Sequence, residues 1–386
     1  MNRSKLLLIL SIVLLLVLTL VILPGCKTTV ATETTAGAAS TTIAAATTAS
    51  ETTAAPTETT SAASLYTYEN LRKMADAGKY EGTPAKGHNI AFANIIEGID
   101  FSSQVREPIS RNWLAAGGAE GDLALYDNNW DSATAIKVAD LAIAAKPEVF
   151  IEFQIDGNVN EIIGRKARDA GVFIIAVDIP VTGFPFMGVD NYGAATLAGK
   201  YAIDQIEKGG GIDKIDKVFV AYDVSLGDYV NQRAYGIKNA LIEKYGDIVD
   251  PTKDGSKLIM LDQKNTTESM QKAVAEQLSK YPNAKNFVIT TQNDIGMAGA
   301  IAAAEVAGRW DPEKWICVSV NCEKIGQQML REGKIDGDVA FFPEKYGNYL
   351  VPAAIAHIYN NPIPAYILMD HVVITKENVD QYYPIK

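Results

Sequence analysis

A short apolar run of β type that breaks into polar residues and then into a small-residue helical pattern recurs along this chain, and the repeat leaves few folds open. It is clearest where Phe287-Val-Ile-Thr-Thr291 stops at Gln292-Asn293-Asp294 and a helical stretch to Ala300 follows. The same unit stands at Phe150-Ile-Glu-Phe-Gln154, Ile174-Ile-Ala-Val-Asp178 and Val218-Phe-Val-Ala-Tyr-Asp223. Strands that alternate with helices are joined by right-handed crossovers, which gives parallel sheets with helices on both faces. In open sheets of that kind ligands are gripped at the carboxyl ends of the strands. Those ends are where this chain carries its Gln, Asn and Asp side chains. The repeat predicts an α/β fold built around a cleft.

Taken in order, Leu65 to Lys86 reads as a short helix with Leu71 and Met74 on one face and a Gly/Pro-rich lead-in, an appendage over 65–87. Strands follow at 89–94, 123–126, 149–153, 172–177 and 187–189. Between them run helices carrying Val105, Ile109 and Trp113, then Ile136, Ala139 and Ile143, then Ile162 and Ile163, at helical spacing. Past Asp190-Asn191 the series restarts, with helices at 197–206, 229–245, 268–280, 295–307 and 323–332. These alternate with strands at 218–222, 258–261, 287–291, 315–320 and 338–342. A helix over 346–359 and a strand over 367–374 close the chain. Two α/β units of similar size, with no long loop between them, predict two lobes facing across a cleft.

The first residues carry a different signal. Arg3 and Lys5 precede an apolar core from Leu6 to Leu18, and Leu23-Pro24-Gly25-Cys26 follows, a pattern that resembles the lipobox of bacterial lipoproteins. Residues 1–26 are expected to be a signal peptide ending at a lipidated Cys26, the alternative being an uncleaved membrane anchor. Residues 27–64 are almost all Thr, Ala and Ser and lack the apolar residues that offset ordering entropy. They are expected to be a solvated tether, glycosylated or not. The chain carries a net charge of −11, and loss of Arg3 and Lys5 with the leader takes it to −13. Such an acidic body speaks against nucleic acid as a partner.

Little points to catalysis or metal. At about 3.3 Å per residue in a strand, Cys317 and Cys322 stand too far apart to bridge unless the chain turns, so two free buried thiols are expected. The three histidines, His88, His357 and His371, have no ligand spacing to one another, so no metal and no cofactor are expected. No Gly-x-Ser-x-Gly elbow is present, and Gly209-Gly210-Gly211 precedes a strand with no Lys-Ser/Thr after it, unlike a phosphate loop. An enzyme is not expected.

The order of elements and the residues at their strand ends resemble the type I periplasmic solute-binding proteins, in their ribose-binding branch. The marks are Asp127-Asn128-Asn129, Val177-Asp178, Val189-Asp190-Asn191, Arg233-Ala-Tyr-Gly236 and Gln292-Asn293-Asp294, and the resemblance spans 88–386. It implies two Rossmann-like lobes with parallel sheets joined by a three-crossover hinge: 88–191 plus 343–367 as lobe one, and 192–342 plus 368–386 as lobe two. The hinges would lie near Asn191, Phe342 and Leu368, and ligand would close the lobes. It further implies an extracytoplasmic, lipid-anchored, monomeric substrate-binding protein that closes on a sugar or polyol-like solute and hands it to an ABC permease. The alternative is a sensor presenting its solute to a histidine kinase or chemoreceptor.

Carried over position by position, the resemblance implies that Phe101 stacks on a sugar face, Asp178 accepts hydroxyl hydrogen bonds and Asn293 offers a second-lobe amide. Gln154, Asn231, Arg233, Asn321 and Phe341 complete the expected contacts. The pattern departs from ribose binders at Ile179, Asn231, Asn321 and Phe341, where charged or amide residues are expected, so the cleft should be less polar and its ligand larger or more apolar. Plainer roles exist beside these: Asp178 as a turn cap, Arg233 in a salt bridge, Phe341 as hinge filling. Trp113 and Trp130 read as structural, and Asp190 and Asn191 as hinge-turn residues.

Overall fold

The computed structural model describes residues 65–385. The leader, Cys26 and the 27–64 stretch lie outside the described residues.

The elements run α1 (Tyr68–Asp76), β1 (Ile90–Asn94), α2 (Asp100–Ala115), β2 (Leu123–Asp127), α3 (Ser132–Ala144), β3 (Val149–Phe153), α4 (Gly157–Ala170), β4 (Phe173–Val177) and β5 (Phe186–Gly188). The series then repeats as α5 (Asn191–Lys208), β6 (Lys217–Tyr222), α6 (Gly227–Tyr245), β7 (Leu258–Asp262), α7 (Thr267–Lys280), β8 (Phe287–Thr290), α8 (Asp294–Val306), β9 (Trp315–Asn321), α9 (Lys324–Glu332) and β10 (Gly337–Ala340). It closes with α10 (Tyr346–Ile358), β11 (Tyr366–Leu368), β12 (Val372–Ile374) and α11 (Val379–Tyr382).

These strands form two six-stranded sheets of matching order, β11-β5-β4-β3-β1-β2 and β12-β10-β9-β8-β6-β7. All neighbours are parallel except β10 with β12. In the middle of the first sheet Ile90 of β1 lies between Leu123 of β2 and Val149 of β3. Parallel sheets covered on both faces call for apolar residues on both faces, and β1 and β3 are buried along their whole length. Each lobe is locked by helices that touch backbone to backbone. In lobe one a Cβ on Gly347 of α10 would come within 2.1 Å of the Pro108 backbone in α2, and in lobe two a Cβ on Gly236 of α6 would come within 2.6 Å of Tyr192 O.

The chain passes between sheets three times: after β5, after β10, and between β11 and β12. α5 packs on α6, β9 and β10, while α10 returns to α2, α1 and β3. The single strand expected over 367–374 is thus two short strands in different sheets, because the third crossing falls inside it. Leu368, expected in lobe two, is the last residue of β11 in the first sheet.

The segment expected as an appendage is part of lobe one. Leu71 is fully buried, Tyr66, Ala75, Tyr80 and Ala85 join the same core, and the Arg72 guanidinium lies 3.4 Å from the Tyr349 ring centroid on α10. The buried stripe of α3 also sits beside the expected one, on Ala135, Val138, Ala139 and Ala142, leaving Ile136 and Ile143 only partly covered. Cys317 and Cys322 are free and buried. Among the described residues no helix is long and apolar enough to cross a membrane, and no cluster of His, Cys, Asp or Glu could hold a metal ion.

Candidate functional site

The carboxyl ends of both sheets meet at one cavity of about 360 Å³, toward the small end of the roughly 300–1,000 Å³ of small-molecule sites. Polar caps position its walls, since each strand here runs straight into the first turn of a helix. Asp190 caps α5 by accepting the Gly193 N–H at 2.9 Å, and Asn293 caps α8 by accepting that of Gly296 at 3.0 Å. The two walls differ in chemistry. Lobe one contributes an aliphatic and aromatic surface, among it Ile95, Phe101, Trp130, Phe153 and Ile179, with Asp100 and Asp178 set into it. Lobe two contributes mainly hydrogen-bonding groups: Arg233, Asn265, Gln292, Asn293, Asn321 and Glu323.

The backbone at the cavity repeats between lobes. The edge strands β2 and β7 both end in two consecutive residues of left-handed conformation, Asn129 and Trp130 (φ 51° and 52°) and Lys264 and Asn265 (φ 48° and 47°). The equivalent inner strands β4 and β9 also end in left-handed residues, Asp178 at φ 58° and Asn321 at φ 110°. Asn and Asp tolerate this region better than other non-glycine residues. The device turns the chain sharply at the sheet edge, and four of these six residues line the cavity.

Asp178 accepts from the Tyr346 hydroxyl at 3.0 and 3.1 Å and from the Val189 N–H at 3.3 Å. Burial pushes its carboxyl up to about 6, an effect eased by the Tyr346 hydrogen bond and by Arg233. Arg233 is held from three sides: its Nε donates to Asn191 Oδ1 at 2.7 Å, and its Nη1 to Gln292 O at 3.1 Å and Asn321 Oδ1 at 3.3 Å. All three acceptors are neutral, so the guanidinium is oriented without being neutralised. Glu323 is pushed up to about 7 by burial and by the nearby Asp294 and Asp100 carboxylates. Lys324 of α9 reaches across the cleft to pair with Asp100 of α2.

This arrangement can grip a small polar solute between two jaws. The periplasmic binding protein domain family matches residues 90–362. The chain belongs to that family. This binding protein is 24% identical over 235 residues to a D-ribose/D-allose-binding protein of Pseudomonas aeruginosa, covering 58% of this chain and 67% of that one. It shares its fold with a periplasmic solute-binding protein of Actinobacillus succinogenes solved with bound D-allose, at a TM-score of 0.63 and 21% identity, covering 76% of this chain and 100% of that one. A periplasmic ribose ABC transporter protein from Conexibacter woesei superposes at a TM-score of 0.67 and 18% identity, with 79% and 98% coverage.

Of the residues expected at the site, Phe101, Asp178, Arg233, Asn293 and Asn321 line the cavity of this binding protein. Gln154, Asn231 and Phe341 stand behind the lining. Gln154 folds back to hold its own turn, its Oε1 accepting from the Ile155 N–H at 2.7 Å and the Asp156 N–H at 3.1 Å. Asn231 accepts the Asp223 N–H at 2.9 Å and donates to Asp223 O at 2.7 Å. Phe341 is fully buried, with Arg233 stacked on its ring at 4.6 Å and His371 at 5.3 Å, so it serves as the floor under the guanidinium.

Two structural assignments also change. Asn191, expected only as a hinge-turn residue, lines the cavity and orients Arg233, while Trp113 is fully buried as expected. Trp130, expected as structural, stands in the cavity wall and is 43% exposed. The sequence signal that could have found it is Asn129, a residue suited to the left-handed turn that continues into Trp130. Glu323 and Asn265 carried no signal of their own.

Proposed function

We propose that this chain is the extracytoplasmic, lipid-anchored substrate-binding component of an ABC importer, which closes on a sugar or polyol-like solute and delivers it to a permease. The observation that carries this reading is the interlobe cavity with an aromatic wall on one lobe and an amide and guanidinium wall on the other. Apolar C–H faces of a sugar suit Phe101, and its hydroxyls suit the fixed donors and acceptors opposite. Family membership and the sugars named for its relatives support it, as does the lipobox-like Leu23-Pro24-Gly25-Cys26 followed by a polar tether.

The test has two parts. Native mass spectrometry of the protein as purified should detect a retained solute. Isothermal titration with pentoses, hexoses, polyols and nucleosides should give a one-site isotherm with at least one sugar or polyol; no heat with any of them would sink the carbohydrate reading. Metabolic labelling with a fatty-acid probe, in the wild type and in Cys26→Ala, reads the anchor separately.

A further inference from the structure

We infer that the cleft has a second ligand position at its mouth, formed by Trp130 of lobe one and Asn265 of lobe two, so that the solute is longer than one ring: a disaccharide, or a glycoside with a flat substituent. The inference rests on the carbohydrate reading of the cavity.

Of the residues in the strained loops, Trp130 and Lys264 are the two that a left-handed backbone does not favour, and Trp130 is the one of them that lines the cavity. A bulky residue at positive φ costs on the order of 1 kcal/mol or more, and its Asn129 neighbour shows what the turn itself would prefer. The loop holds it there firmly. The Trp130 N–H donates to Ile95 O at 2.8 Å, the Asn129 N–H to Asp127 Oδ1 at 2.7 Å, and the Asp131 N–H to Asn128 O at 3.0 Å. The strain is not offset by core packing, since the side chain is 43% exposed. Among the described residues the indole enters no ring stack and no cation–π contact. A rigid, strained and half-exposed indole in a cavity wall is a platform for something outside the protein.

Depth separates this platform from the inner one. Phe101 sits against the floor, edge-on to the fully buried Tyr346 at 6.1 Å and tilted on Phe153 at 6.4 Å. Trp130 and Ile99 also line the cavity but remain 43% and 40% exposed, which puts both toward its opening. From the other lobe, Asn265 is presented by the matching left-handed turn. Its Oδ1 accepts from Asn293 Nδ2, so its own Nδ2 remains as a donor. An aromatic face on the lobe-one wall and an amide donor on the lobe-two wall of the same cavity suit a pyranose ring or an aryl group lying on the indole with a hydroxyl toward Asn265. One ring on Phe101 and a second unit on Trp130 make a two-part ligand.

The experiment is isothermal titration of the full-length chain in mild detergent with D-glucose, D-galactose, D-allose and D-ribose, and with cellobiose, lactose and the phenyl β-D-glycosides of the same sugars. Trp130→Asn, which keeps a residue suited to φ 52°, and Trp130→Phe are run beside the wild type. At least one extended ligand should bind about tenfold or more tighter than its parent sugar. That advantage should vanish in Trp130→Asn and persist in part in Trp130→Phe, so that the extended ligand loses about tenfold more affinity than its parent sugar does. Parent sugars that bind as tightly as their extended forms, or an advantage untouched in Trp130→Asn, would overturn the mouth position while leaving the carbohydrate reading intact. Silence from single and extended ligands alike would overturn both.

Discussion

At the residue scale, Asp178 and Arg233 present opposite charges from opposite lobes, and their surroundings set when those charges exist. The Asp178 carboxyl titrates at about 6 because burial disfavours its charge more than Tyr346 and Arg233 favour it. If the cavity takes a hydroxylated solute as proposed, Asp178 is a charged acceptor for it above that pH and a neutral, weaker one below it. Ligand affinity should therefore fall as pH drops from about 7 to 5. Asp178→Asn should flatten the profile and cost roughly 2 kcal/mol at neutral pH, both measured by titration calorimetry. Stability runs the other way. A folded-state value raised above the ordinary 3.8 gives stability that is full below 3.8 and lost as pH rises through about 6. Asp178→Asn should thus raise the melting temperature of the ligand-free protein at pH 7.5 even as it weakens binding. Asn293 is a different case, since it caps α8 and also accepts from Gln263 Nε2 at 2.6 Å. Asn293→Ala should lower stability by about 1 kcal/mol or more in urea unfolding without ligand, beyond any effect on binding.

At the element scale, two titratable groups sit where secondary structure leaves little room for charge. Glu152 lies in the buried central strand β3, with Oε1 accepting from Asn128 Nδ2 at 3.1 Å and Oε2 without a partner among the described residues. Burial pushes it up to about 8 from 4.5, so its contribution is full below 4.5 and disappears as pH rises through about 8. Glu152→Gln should raise stability at pH 8 by on the order of 2 kcal/mol and change little at pH 5, as read from denaturant midpoints. His371 has the opposite sign. Its Nε2 accepts the Asp190 N–H at 3.1 Å, so its proton sits on Nδ1, which donates to Ala340 O at 3.1 Å. One neutral ring thereby ties together the three segments that cross between lobes. Burial holds its pKa below the usual 6.5, and the stability it lends is present above 6.5 and lost as pH falls through the folded value. Hydrogen exchange at 188–191 and 368–372 should accelerate between pH 7.5 and 5.5 beyond the intrinsic pH effect, and should lose that extra dependence in His371→Gln. The core strands and helices of this element map were legible from apolar runs and helical spacing. The third crossing was not, because a strand of three residues carries too little pattern to show which sheet it joins.

At the scale of the whole molecule, two lobes are joined by three short crossings, and hinge closure, if it occurs as proposed, would be favoured by whatever bridges the walls. The Asp100–Lys324 pair spans them at the surface, where such pairs contribute only ~0–1 kcal/mol. Lys324→Ala should leave the melting temperature nearly unchanged. A bound solute should do far more: at a hundredfold excess over Kd it adds about 2.7 kcal/mol, and small-angle scattering should record a smaller radius of gyration. Equal scattering with and without a solute that binds would argue against closure. From its sequence alone this chain determined the α/β class, the doubled lobe, the cleft at the strand ends, and the placement there of Phe101, Asp178, Arg233, Asn293 and Asn321, because strand and helix periods and the polar stops between them are local properties. Tertiary structure alone decided that Gln154, Asn231 and Phe341 turn away while Trp130, Asn265 and Glu323 enter, since the direction of a side chain at a strand end depends on the handedness of the turn and on the partners waiting in the other lobe.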